Sequence, residues 1–209
     1  MKLILCDVNT YLCNAWNQVF AKEKDVEVVR SRFEDVPEYD CMVSPANSFG
    51  LMDGGIDAAI TAYFGQQLMQ RVQDRIMQKY CGEQPVGTAI IVPTGNKTHP
   101  WLAHTPTMRV PRNIYGTDNV YNAMRAMLLA VRKGAEMFTA DHDTDYGQVH
   151  AVATRVDIKT VLCPGFGTGT GGMPPYVAAC QMYLAYQNVM EPRVISWDNA
   201  IAIEQEIYR

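Results

Sequence analysis

The sequence predicts a three-layer α/β domain. Short apolar runs of strand length alternate with helical stretches along most of the 209 residues. Two glycine-rich loops each lie between a strand and a helix, and neither an internal repeat nor a low-complexity linker breaks the alternation. A chain of this length is expected to form one domain, residues 1–209, with a core large enough to need no staples.

The elements follow in order. Residues 3–6 read as a short buried strand and residues 11–22 as a helix. Residues 26–29 and 41–44 are further strands, the second stopped by Pro45. From Gly55 to Tyr80 the pattern turns helical, with Ile60, Phe64, Leu68, Val72 and Ile76 in one stripe and Gly65 as a divider. Residues 88–92 and 101–105 are strands ended by Pro93 and Pro106. Residues 119–133 form a helix with Met124, Leu128 and Val131 toward the core. Residues 160–163 are a strand, and Pro174 and Pro175 open a helix to about residue 189, since proline suits a first turn. Residues 139–156 lack clear periodicity and read as a surface insertion in the form of a hairpin. Residues 190–209 form a tail with a helix after Ser196.

Composition narrows the function classes. Hydrophobic residues make up 48% and charged residues 19%, with net charge −4. Such a chain is globular and poorly suited to non-specific nucleic-acid binding, which needs clustered Lys and Arg. An anionic small ligand stays open, because backbone amides bind phosphate without them. Cys6, Cys13, Cys41, Cys81, Cys163 and Cys180 form no C-x-x-C pair and read as free thiols of a reducing compartment. The opening apolar stretch is too short for a signal peptide and no run reaches membrane-spanning length. A cytoplasmic protein without a membrane partner is expected.

The loops carry the chemistry. In the first, Ser44-Pro45-Ala46-Asn47-Ser48-Phe49-Gly50-Leu51-Met52-Asp53-Gly54-Gly55-Ile56-Asp57, a strand ends, turn residues follow, and a helix starts at paired glycines. The first helical turn leaves N–H groups unpaired and partly positive, and glycine lets a phosphate approach them. Asn47 at the strand end has an amide able to reach a ribose hydroxyl. A bare turn with a helix cap is the competing reading. The second loop holds Gly165, Gly167, Gly169, Gly171 and Gly172, with Thr168 and Thr170 as hydroxyl donors. Five glycines exceed what a turn requires. Gly167, Gly169 and Gly172 satisfy G-x-G-x-x-G, but only a short tail follows, so the context of a Rossmann fingerprint is missing. There is no G-K-[ST]. Two anion-binding loops point to a ligand with two linked phosphates, such as a nucleoside diphosphate derivative.

At these residues the sequence resembles the macrodomain family, from Asp7 to about Tyr186. Cys6-Asp7-Val8-Asn9 is similar to the family's G-D-I-T. Asn47 and the run Asp53-Gly54-Gly55-Ile56-Asp57 resemble N-A-A-N…G-G-G-V-D. Gln84 to Ala89 resembles C-x-T-G-x-A. Trp101 to Pro106 resembles the strand ending I-H-x-V-G-P, and Pro164 to Pro174 resembles P-x-x-S-T-G-x-x-G-x-P. The resemblance implies a three-layer α/β/α fold with a mixed central sheet and a site for ADP-ribose. It implies that Asp7 and the Val8 backbone take the adenine, and Asn47 the distal ribose. Gly54, Gly55, Ile56, Gly167, Thr168, Gly169, Thr170 and Gly171 hold the diphosphate and its surroundings. Gly169 stands where backbone must come close to the phosphates, by close approach or by a positive φ.

The same resemblance implies hydrolysis of ADP-ribosyl linkages on protein, nucleic acid or an ADP-ribose derivative. Asp57 is then the carboxylate beside the anomeric carbon, Asp53 a second candidate, and Asn47 the ribose holder. No metal or other cofactor is required. The partner is ADP-ribose or an ADP-ribosylated substrate, nucleic acid entering only as such a substrate. The first-loop variant looks like that of a bacterial and phage-associated subgroup. Ser44 replaces an Asn, Thr61 a His, and Gly171 an aromatic common on the distal ribose. These departures keep two alternatives open: a non-catalytic reader or scavenger of ADP-ribose or related NAD-derived metabolites, and a phage-related interaction module.

Other side chains read more plainly. His142, Asp143, Asp145 and His150 match no trusted zinc spacing and read as a solvated loop. His104 reads as a core histidine, and Trp197 and Tyr176 as packing residues rather than adenine stackers. Arg109 and Arg112 read as solvated rather than as diphosphate partners.

Overall fold

A computed structural model describes residues 1–142 and 149–208. Eight strands and six α-helices run in the order β1 (Lys2–Cys6), α1 (Thr10–Val19), β2 (Val26–Val29), β3 (Cys41–Asn47), α2 (Gly55–Phe64), α3 (Gln67–Tyr80), β4 (Ile90–Pro93), β5 (Trp101–Met108), α4 (Asn119–Lys133), β6 (Ala135–His142), β7 (Val149–Val156), β8 (Thr160–Cys163), α5 (Pro175–Met190) and α6 (Trp197–Ile207). The main sheet has strand order β2-β1-β8-β3-β5-β4. Its strands are parallel except β4, which runs antiparallel to β5. The sheet is therefore mixed, and helices cover both faces.

Strand sequence explains the layering. In β1, Leu3 and Leu5 join the core shared with α1, α4 and α5. Ile4 and Cys6 join the other core, with α2 and α3. A strand buried on both faces reads as a continuous apolar run rather than an alternating one. On α3 the four-residue stripe of Leu68, Val72 and Ile76 is fully buried, and Gly65, with φ +92°, ends α2 as expected.

Several boundaries differ from the expected ones. Pro45 does not stop β3, nor Pro106 β5. β3 pairs with β8 only at Cys41 and Met42, and β4 pairs with β5 only up to His104. Beyond those points β3 and β5 continue side by side, Pro45 opposite Thr105 and Ala46 opposite Pro106, each with its other flank unpaired. A proline is tolerated in such an edge position. β4 starts at Ile90 because Thr88 is still in a turn, its N–H and hydroxyl both donating to the Pro85 carbonyl. α1 stops at Val19, before the charged run Lys22-Glu23-Lys24. The N–H of Phe20 bonds back to Trp16, and its ring packs edge-on against Tyr183 and Tyr186.

β6 and β7 form a separate two-stranded antiparallel sheet, in register from Ala135 opposite Val156 to His142 opposite Val149. The side chains of His142, Asp143, Asp145 and His150 lie outside the described residues. In the tail, the Ser196 hydroxyl caps α6 by accepting from the Asn199 N–H at 3.2 Å. Trp197 is 83% exposed and Tyr176 52% exposed, so the expected packing role holds for neither. Among the described residues no helix is long and apolar enough to cross a membrane.

Candidate functional site

The carboxyl ends of β1, β8, β3 and β5 open into one cleft of about 510 Å³. That is the size of a small-molecule site, at the strand ends where open α/β sheets bind ligands. Asp7, Val8, Asn47, Asp53, Gly54, Gly55, Ile56, Asp57, Gly167, Thr168, Gly169, Thr170 and Gly171 all line it. Every residue singled out from sequence for binding or catalysis is thus on its wall.

At the β1 end, Asp7 joins two elements. Its Oδ1 accepts from the Asn9 N–H at 2.9 Å and its Oδ2 from the Gly165 N–H at 3.2 Å. Asn9 in turn caps α1, its Oδ1 accepting from the Tyr11 and Leu12 N–H groups. A carboxylate has about four acceptor positions, so Asp7 retains capacity for an amine donor. Val8 follows with its side chain 66% exposed.

In the first loop, the Asn47 amide is already engaged. Its Nδ2 donates to the Leu51 carbonyl at 2.7 Å, and its Oδ1 accepts from the Phe49 and Leu51 N–H groups. Asn47 closes the turn, and a single Nδ2 hydrogen is left for a ligand. Gly54 precedes α2 without a side-chain cap, and Gly55 adopts φ +55°, which glycine alone takes freely. Nothing lies within 4 Å of a side-chain position at either. The first turn of α2 borders the cleft, and the positive end of its helix dipole lies there.

Asp57 lies in that first turn and is 5% exposed. The Ser44 hydroxyl donates to its Oδ1 at 2.7 Å. Burial pushes its pKa up from 3.8 to about 6, against the Ser44 hydrogen bond and with help from the nearby Asp53 charge. A carboxyl titrating close to neutrality in a cleft has the character of a functional group. Asp53 is exposed on the rim. Thr61 is buried and donates to the Met52 carbonyl at 3.0 Å, steadying the loop from behind.

The second loop folds on itself. The Gly172 N–H bonds to Gly169, Met173 to Gly167, and the Ile114 N–H to Gly171. A side chain on Gly171 would overlap the Gly167 carbonyl oxygen. Gly171 is therefore required by close backbone packing, which is why no aromatic stands there. Gly169 is the opposite case. Its φ is not positive and nothing lies within 4 Å of its side-chain position, so only the close-approach expectation survives.

Sequence reasoning missed part of the wall. Ser31 and Arg32, and Phe33 and Glu34 of the short 3-10 turn Phe33–Asp35 that follows them, line the cleft near Asp7. Arg32 pairs with Glu34 at 2.7 Å. No motif marks them. Thr107, Met108 and Pro111 also line it. Thr107 and Met108 follow from β5 running past Pro106. Arg109 lies outside the cleft lining, paired with Glu83 at 2.6 Å and stacked over Phe49. His104 is fully buried, and burial lowers its pKa to about 3. Among the described residues no three His, Cys, Asp or Glu side chains gather as a metal site.

Comparison with known proteins agrees with this geometry. The Macro domain family model matches residues 43–182, a span holding both glycine loops and Asp57. The chain belongs to the macro domain family. An uncharacterized protein of Aquifex aeolicus is 28% identical over 183 residues, covering 88% of this chain and 93% of that protein. The solved macrodomain of Mycobacterium tuberculosis DarG is similar with TM-score 0.56 and 16% identity, over 76% of this chain and 88% of its own. A variant of the Oceanobacillus iheyensis macrodomain with ADPR is similar with TM-score 0.54 and 18% identity, over 81% of this chain and 84% of its own. At these identities the solved structures share the three-layer α/β/α fold with this chain.

Proposed function

We propose that the cleft binds ADP-ribose and that the protein hydrolyses ADP-ribosyl linkages. The observation that carries the reading is the meeting, in one cleft, of two phosphate-suited loops with a buried carboxyl of raised pKa. The adenine sits toward Asp7 and Val8. The diphosphate lies between the α2 N-terminus and the loop from Gly167 to Thr170, held by backbone amides. The distal ribose reaches Asn47, Asp53 and Asp57. Cleavage at its anomeric carbon builds positive charge, which the Asp57 carboxylate stabilises while orienting a water. Remote binding of the diphosphate supplies the positioning.

Calorimetry with ADP-ribose tests binding, with a dissociation constant of roughly micromolar expected. Absence of heat at millimolar ligand refutes it. Release of ADP-ribose from mono-ADP-ribosylated substrates, lost in Asp57→Ala, tests hydrolysis. Two observations favour a second reading, a non-catalytic reader: Gly171 leaves the ribose without a packing aromatic, and the Asn47 amide is largely committed to its own turn. Binding with no turnover by the wild type selects that reading.

A further inference from the structure

We propose that the trench along the outer edge of β4 binds an extended peptide of another protein. That peptide alternates acidic and small aliphatic side chains and joins the sheet as a further strand. β4 is the last strand of the main sheet. A groove of about 700 Å³ runs along it and shares no lining residue with the ligand cleft. Residues 87–93 line it without a gap. A strand that faced the groove with one surface would contribute every second residue, so the unbroken run means that the groove meets the strand edge-on. Arg71, Asp74, Arg75, Gln78 and Lys79 of α3 also line it, as do Ala126, Leu129, Ala130 and Lys133 of α4. Each set has the spacing of one helix face. α3 packs with Ile90 and Val92 on one side of the sheet, and α4 with Ile91 on the other. The two helices thus stand as walls on either side of the strand edge.

The backbone of that edge is set for pairing. The Trp101 N–H donates to the Asp40 carbonyl at 3.1 Å, on the β3 side, and the Thr94 N–H to the Pro100 carbonyl at 2.9 Å. Hydrogen-bonded and non-bonded pairs alternate along an antiparallel ladder. Val92 with Leu102 and Ile90 with His104 are therefore the bonded pairs that follow Thr94 with Pro100. Ile91, between them, aims its N–H and C=O outward into the trench. Pro93 aims a carbonyl outward and has no N–H, which is the placement an edge strand allows a proline. Pro93 and the shortness of β4 keep the edge from pairing with any strand at large. The walls decide which strand can enter.

Their chemistry is unequal. The α3 wall sets Arg71, Arg75 and Lys79 against Asp74, and Lys133 ends the α4 row, so the trench is basic in a chain whose net charge is −4. Among the described residues no ion pair takes up Arg71, Lys79 or Lys133. Arg71 is held in place, its Nη1 donating to the Thr94 carbonyl at 2.7 Å and its Nη2 to Gln67 at 3.4 Å. A guanidinium has five N–H donors, so further ones remain for a carboxylate. The rest of the α4 wall is apolar, and Ala126 and Ala130 leave room beside Leu129. Side chains of an added strand point alternately to the two faces of the sheet. One set meets the α3 cations and the other the α4 alanines, and acidic–aliphatic alternation suits both. A nucleic-acid strand would meet the cations, but it has no peptide groups for Ile91 and would set phosphate against the alanines.

The test is fluorescence anisotropy with a labelled, C-terminally amidated peptide of sequence Glu-Val-Glu-Val-Glu-Val-Glu. Saturable binding is expected, with the largest amide NMR shifts at Ile91 and its neighbours. N-methylation of every Glu amide or of every Val amide decides the mode: the set that faces β4 abolishes binding and the other leaves it intact. Lys79→Glu combined with Lys133→Glu weakens binding about tenfold or more. Ala130→Phe fills the α4 wall and abolishes binding; the charge reversals carry the test if thermal melting shows that this variant does not fold. No saturable binding at millimolar peptide overturns the proposal. So does equal binding of both N-methylated peptides, or of a peptide with the same residues in separate Glu and Val blocks, since either leaves charge alone as the cause. Equally tight binding of a thymidine oligonucleotide overturns it as well.

Discussion

Replacing Asp57 by Asn isolates the energetic cost of the cleft carboxyl. Asp57 is buried, with a pKa raised from 3.8 to about 6. Between those values the folded protein holds a proton that the unfolded chain has released. Stability therefore falls as pH rises through that window, and the loss is complete above the folded pKa. A rise of about two units corresponds to roughly 3 kcal/mol at neutral pH, an upper bound for one group. Asn has the same shape, carries no charge, and its Oδ1 still accepts from Ser44 Oγ, a contact of 2.7 Å with Asp57. Its amide hydrogens must find partners in the cleft, which reduces the gain. Asp57→Asn is thus expected to be about 1–3 kcal/mol more stable than the wild type at pH 7.5, with the advantage shrinking toward zero by pH 4. Urea unfolding at several pH values measures it. A variant no more stable at pH 7.5, or an advantage independent of pH, refutes the account of Asp57 as a carboxyl held at a cost.

Three further outcomes follow from the loops. Asp7→Ala should weaken ADP-ribose by about 1.5–3 kcal/mol, and ribose 5-phosphate by less, since only the former carries adenine; equal losses in calorimetry contradict the adenine role. Gly169→Val should nearly abolish ADP-ribose binding with little change in melting temperature, because its side-chain position is open and its φ ordinary; normal affinity would remove the phosphates from that loop. Gly171→Ala should do the reverse at first, lowering stability by about 2 kcal/mol or more as the loop backbones are forced apart. A melting temperature unchanged in that variant argues against the close packing of Gly171 on Gly167.

The fold and much of the site were legible because their signals are local. The stripe on α3, the double proline opening α5 and the glycine loops each depend on neighbours in sequence. The strand ends were not legible. A proline inside an apolar run reads as a stop, and only the pairing of β3 and β5 beyond their other neighbours shows why Pro45 and Pro106 are tolerated. That misreading hid Thr107 and Met108 from the cleft wall. Arg32 and Glu34 were invisible for another reason: they lie just before and within a three-residue turn, which has no periodicity. Gly171 was visible as a departure from its family, yet its cause lies in a contact with Gly167 four residues away.

The depth of the cleft is a consequence of unequal strand lengths. β8 stops at Cys163 while its neighbour β3, last paired with it at Met42, runs on to Asn47. In that register Cys163 is level with Val43, so four residues of β3 extend beyond β8, about 13 Å of overhang. The recess is thus cut by the register of the sheet rather than by the size of any side chain on its wall. Substitutions around the rim can change which ligand is held without changing how large a ligand fits. Lengthening β8 by two residues would raise the floor without touching a single residue of the rim.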